Sequence, residues 1–228
     1  MRDEYPSHWT DMSNYVVHFS KGKAAFADAG VNNRAYRDML SILGSGELKP
    51  GAPFGIGRKI APDVKAQRTV CFSEIPPGEW RRLAERRRSG FGIGFTKQLL
   101  VERGGGPIWY ARKDSPQLAA LKDLMKVAKN KPDNPIWSIT PMIDAPGRYG
   151  FREYEYEWER EWRHLGKMKF KPEDVAFLFI PEHLHGNARS FFAWARRENI
   201  GPEYLCPFLD SSWTREQVEE ALSSRVGM

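Results

Sequence analysis

EYEYEWEREWRHLG, residues 153–166, opens with ten residues that hold five glutamates, four aromatics and one arginine. How this stretch is read decides the fold. As a single strand it would line up Glu153, Glu155, Glu157, Glu159 and Glu161 on one face, where like charges side by side repel. As a helix it would stack Tyr154, Glu155, Trp158 and Glu161 or Trp162 into one stripe. A break relieves both conflicts. The spacing then predicts a helix through about Trp158 and a strand from about Glu159 through Leu165. Glu159, Glu161 and Arg163 would share one strand face, with Trp162 and His164 on the other.

A Glu-x-Glu pair on a strand has a chemical use. One carboxylate can accept a hydrogen bond from a sugar hydroxyl and stabilise an oxocarbenium-like centre, while the other orients or deprotonates a nucleophile. The plainer reading is an exposed strand end, with Arg163 pairing Glu161 across the pleat.

Working outward, the short apolar runs are β-branched or aromatic and read as strands: YVVHF at Tyr15–Phe19, TVCFSE at 69–74, GFGIGF at 90–95, IWYA at 108–111 and VAFLFI at 175–180. Lys21-Gly22-Lys23 closes the first of them, and Pro76-Pro77 closes the second. In GFGIGF the glycines fall on one face and Phe91, Ile93 and Phe95 on the other; strand glycines leave room for a ligand or another backbone. Helical periodicity marks residues 35–43, 78–88, 97–103, 116–129, 187–199 and 214–223. Residues 49–58, KPGAPFGIGR, read as a mobile loop, and 130–147, with four prolines, as an irregular lid or insert. The order of mixed short strands and helices predicts one α+β domain over 1–228, a small mixed or antiparallel sheet flanked by helices.

Composition sets the limits. The 228 residues are 41% hydrophobic and 13% aromatic, which excludes a disordered chain. Net charge is +6, which permits phosphate partners without requiring them. The densest basic run, WRRLAERRR at 80–88, reads as a solvated helix, or else as a patch for nucleic acid or an acidic protein. The two cysteines, Cys71 and Cys206, lack CxxC spacing, which argues against a thiolate zinc site and a disulfide framework. MRDEYPSHWT carries no apolar leader and no run reaches 18 apolar residues, so a soluble cytoplasmic protein without a membrane partner is expected.

Other motifs carry less. GFGIGF does not complete a dinucleotide fingerprint from either glycine start. His183-x-His185 has no carboxylate cluster nearby, so no metal is expected and a polar turn is the simpler reading. Ser73 ends a strand where its hydroxyl can reach a ligand or merely terminate the strand. Cys71 reads as a small buried hydrophobe, His18 as a core histidine or a ligand contact. Trp109 and Tyr110 alternate across a strand, one core and one free to stack.

Taken in order, YVVHFSKG, ILGSGELKPG, VCFSEIPP, GFGIGFTKQLL, PIWYAR and EWEREWR resemble the AbiGi family of abortive phage-infection proteins, over about residues 15–181. The layout is also similar to the wider ADP-ribosyltransferase-like group. The resemblance implies a phage-defence role, as toxin or antitoxin, with NAD as the substrate. It implies that His18, with Phe19 beside it, holds the adenosine-side ribose and that Ser73 sits beside the nicotinamide ribose. Glu161 would engage the 2′-hydroxyl, Glu159 would be the first Glu of the paired motif, and Tyr110 or Trp109 would stack on nicotinamide. Competing with this is a non-enzymatic antitoxin or sensor that binds a partner toxin, a phage component or nucleic acid through the basic helix. A nuclease is disfavoured, because no clustered Asp/Glu/His set is visible.

Overall fold

The computed structural model describes residues 12–20, 34–74, 76 and 79–223. Lys21-Gly22-Lys23, Pro77 and the opening MRDEYPSHWT lie outside the described residues. The class is α+β with mostly antiparallel pairing, and the chain divides into two compact units.

The first unit is drawn from the described residues of Met1–Glu47, Glu74–Leu99 and Lys169–Met228. Its strands run in the order Phe208–Leu209, Phe177–Phe179, Gly92–Thr96, Tyr15–Phe19. The last three pair antiparallel; Phe177–Phe179 and Phe208–Leu209 are parallel, because helix His185–Arg197 carries the chain back between them. Phe91, Ile93 and Phe95 are buried on one face, as their alternation predicts, with Tyr36 of helix Arg34–Ser45 against Phe91 and Phe170 against Phe95. The glycine face is not ligand space. Gly92 and Gly94 are register partners of Phe179 and Phe177, and an added Cβ at Gly94 would meet the Phe177 ring at 2.4 Å. Trp80 packs edge-on to Phe179 at 4.6 Å, which seats helix Trp80–Arg87 on that face. Trp80, Leu83 and Ala84 are buried, while Arg81, Arg82 and Arg86 are exposed, so the basic run coats the outer side of a packed helix.

The second unit comprises Leu48–Ser73 and Leu100–Met168. Strand Glu161–Leu165 lies between Thr69–Ser73 and Gly106–Pro107, antiparallel to both. Trp109–Tyr110 pairs parallel with Ile143–Asp144, and Gly147–Tyr149 forms a hairpin with Arg152–Tyr154. A core of Leu118, Leu121, Met125 and Ala128 from helix Pro116–Ala128 packs with Ile136, Trp137 and Ile143.

The structure refines three of the expectations. Residues 152–154 are strand, not helix, and the only helical turn in the acidic stretch is a 3₁₀ turn at Glu157–Glu159. Residues 130–147 are not irregular throughout: they contain helix Ile136–Ile139 and bury Trp137 and Thr140 in the unit's interior. Residues 49–58 do form a loop, and its backbone is tied into the unit. Ile56 N–H donates to Ile143 O at 3.0 Å and Phe54 N–H to Gln67 O at 3.0 Å. Gly55, at φ 78°, passes so near Thr140 that a Cβ would stand 2.0 Å from its carbonyl oxygen.

Candidate functional site

The left-handed conformation of Arg160, φ 42°, separates the 3₁₀ turn from the strand. The pleat therefore starts at Glu161, and Glu159 is not on the same strand face two residues before it. Glu159 is instead buried within the turn. The five glutamates escape mutual repulsion by dispersal. Glu153 stands opposite Arg148 in the hairpin, Glu155 and Glu157 both accept from Arg112, Glu159 is buried and Glu161 faces Arg163.

Along the strand, Glu161, Arg163 and Leu165 alternate to one face, opposite Ser73, Cys71 and Thr69 of the neighbouring strand. Arg163 is 0% exposed, which overturns the reading of an exposed strand end. Its guanidinium makes four hydrogen bonds within the unit. Nε donates to Glu161 Oε1 at 2.9 Å and Nη2 to Glu161 Oε2 at 3.0 Å, a two-pronged pair. Nη1 donates to Pro141 O at 2.6 Å, and Nη2 also donates to Asp144 Oδ2 at 2.5 Å. The Phe54 ring lies 5.0 Å from the guanidinium carbon. Burial alone would lower the Arg163 pKa, but the bonds and charge of Glu161, then the charge of Asp144, outweigh it and raise it. Arg163 thus stays charged and is held as an internal strut.

The Glu161 backbone is fixed as well. Its N–H donates to the Tyr110 hydroxyl at 3.1 Å, and its carbonyl accepts from Ile108 N–H at 3.0 Å. The Glu161 side chain keeps 14% of its surface exposed. Arg163 takes two of its lone pairs and the Cys71 thiol a third, which leaves room for one further donor.

The other expected site residues divide between the units. Ser73 is buried directly across from Glu161. Tyr110 reaches Glu161 through its hydroxyl, not as a stacking ring, and its pKa is pushed up to about 12, first by burial. Trp109, its neighbour, is the exposed one of the pair. His18 and Phe19 belong to the first unit, where His18 is half-buried and pairs with Ile93, and Phe19 stacks on Phe179 with centroids 5.4 Å apart. Cys71 is more than an inert hydrophobe: it lies beside Glu161, and burial, then that negative charge, push its thiol up to about 12. His185 turns its Nε2 to Ile180 O at 2.8 Å and its ring edge to Trp213, a structural setting.

Asp144 and the Pro141 carbonyl were not legible in advance. They sit in the proline-rich segment, where no periodicity announces them, and meet Arg163 only through the tertiary fold. Among the described residues no cluster of three or more His, Cys, Asp or Glu is arranged to hold a metal, and no helix is long and apolar enough to cross a membrane.

No protein-family model, no curated protein and no solved structure matches this chain.

Proposed function

We propose that the chain is a phage-defence protein of the abortive-infection type whose second unit carries an ADP-ribosyltransferase-like site that cleaves NAD. The observation that carries this reading is the juxtaposition of a hydroxyl and an acid. Ser73 and Glu161 are register partners on paired strands, and the carboxylate is clamped by Arg163. In the proposed step the nicotinamide–ribose C–N bond breaks and its electron pair leaves with neutral nicotinamide. The positive charge that remains spreads over the ribose C1′ and ring oxygen. Glu161 accepts a hydrogen bond from the 2′-hydroxyl through a lone pair that Arg163 does not use, and so stabilises that charge. A nucleophile, water in hydrolysis or an N–H or O–H group of a macromolecule in transfer, then adds at C1′ and loses its proton to solvent. A carboxylate already fixed before reaction has no reorganisation to undergo. The donors and acceptors present, one hydroxyl and one partly exposed carboxylate, suit a ribose. His18 and Phe19 enter this reading through the family resemblance alone, as does Glu159.

The test is nicotinamide release from NAD by the purified chain. Glu161→Gln should cut turnover by about 10²–10³ while the fold persists. Release by the variant at the wild-type rate would remove Glu161 as the catalyst.

One observation favours a second reading, a non-enzymatic antitoxin or sensor. Both Glu161 oxygens are engaged by a fully buried arginine, which is also what a purely structural ion pair looks like. Co-purification with a partner protein and no NAD consumption would establish that alternative.

A further inference from the structure

The hairpin of Gly147–Tyr149 and Arg152–Tyr154 ends in a tip that its own fold does not cover. Gly150, at φ 64°, makes the turn, and Phe151 beside it is 103% exposed, its whole ring in solvent. Tyr149 is 44% exposed and meets Tyr154 edge-on at 5.7 Å, and Tyr154 meets Tyr156 at 6.0 Å, so the rings run down the hairpin as a chain. Lys113 Nζ stands 5.2 Å over the Tyr149 ring.

Charge at the tip has one sign. The five residues RYGFR, 148–152, hold two arginines and no acid. The acids further down are matched locally: Glu153 lies opposite Arg148, and Glu155 and Glu157 share Arg112. A partner that buried an apolar patch would want aliphatic neighbours round Phe151, yet its neighbours in sequence are a glycine and an arginine. Arg148 faces Glu153 and turns its Nε to Gly150 O at 3.3 Å, which leaves Phe151 and Arg152; a bare π-face beside a guanidinium suits a base and its phosphate. A lone ring at a turn can stack only on a base whose face is open, which favours unpaired strands over duplex.

We propose that this hairpin binds single-stranded nucleic acid, with Phe151 stacking on an unpaired base and Arg152 against a backbone phosphate. The assignment is independent of the NAD reading.

The experiment is fluorescence anisotropy of the full chain with short labelled single-stranded RNA, single-stranded DNA and the matching duplex, across a salt series. Saturable binding to either single strand is expected to exceed binding to the duplex. Phe151→Ala should weaken it about tenfold or more and Phe151→Trp should preserve it. Arg152→Ala should lower the salt slope by about 0.7. Phe151 has no packing role, so a melting temperature equal to wild type checks that the variants are folded. Absence of saturable single-strand binding at low salt would overturn the proposal, as would binding indifferent to Phe151→Ala or equal affinity for duplex. Tighter binding of an acidic peptide through the same residues would overturn it in favour of a protein partner.

Discussion

Glu161 and Arg163 lie two residues apart on one strand face and are joined by two hydrogen bonds, of 2.9 and 3.0 Å, with the arginine fully buried. The pair is not isolated, because Asp144 and the Pro141 carbonyl take the remaining direction of the fork. Removing one side of such a pair strands the other in a low-dielectric interior, so its cost exceeds that of any surface ion pair.

The first expectation follows directly. Arg163→Met should destabilise the protein by about 3–5 kcal/mol, because it leaves Glu161 without its counter-charge and Pro141 O without its donor. Arg163→Lys should recover only part of this, since a point donor cannot span Glu161, Pro141 and Asp144 together. Urea denaturation reads the difference. A loss below about 1 kcal/mol for Arg163→Met would mean that the clamp carries little of the stability.

Two glycines of the first unit should respond with opposite signs. Gly94→Ala drives a methyl into the Phe177 ring, 2.4 Å away, and should cost about 1–3 kcal/mol. Gly44 lies in helix Arg34–Ser45 with open space where a Cβ would stand, so Gly44→Ala should gain about 0.5–1 kcal/mol from helix propensity. Thermal melts of the two variants should move in opposite directions. A shift of the same sign would contradict the packing described for this strand.

Cys71 supplies a pH signature. Its thiol is raised from an ordinary 9.0 to about 12 by burial and then by Glu161. A group whose folded pKa is raised contributes stability in full below its unfolded value, and that stability is lost as pH climbs through the folded value. Stability should therefore fall between about pH 9 and about pH 12, and Cys71→Ala should make the fall shallower. Equilibrium denaturation across that window checks it; an unchanged slope in the variant would show that Cys71 is not the group titrating.

What was legible in the sequence was whatever a short run of residue types can specify. YVVHF and VAFLFI are β-branched and aromatic and became strands; AYRDMLSIL repeats at helical spacing and became a helix. The α+β class followed from their order. The acidic stretch misled because alternating glutamate and aromatic satisfies either period. The break falls at Arg160, whose left-handed backbone no propensity scale predicts for arginine. The hairpin at 147–154 carries a single mark in the sequence, Gly150 at its turn. Residues 130–147 looked irregular because prolines interrupt the periodicity that Ile136 and Trp137 would otherwise show. Ser73 and Glu161 are register partners on paired strands, but the residue that holds the Glu161 carboxylate is Arg163. Its burial depends on Asp144 and Pro141, about twenty positions upstream, a distance over which local patterns carry no information.

The most direct test of the account is nicotinamide release from NAD by wild type, Glu161→Gln and Ser73→Ala, with folding checked by circular dichroism. The account predicts release by the wild type, a fall of about 10²–10³ in Glu161→Gln and a smaller fall in Ser73→Ala. No release by a folded wild type, or equal release by all three, would contradict it.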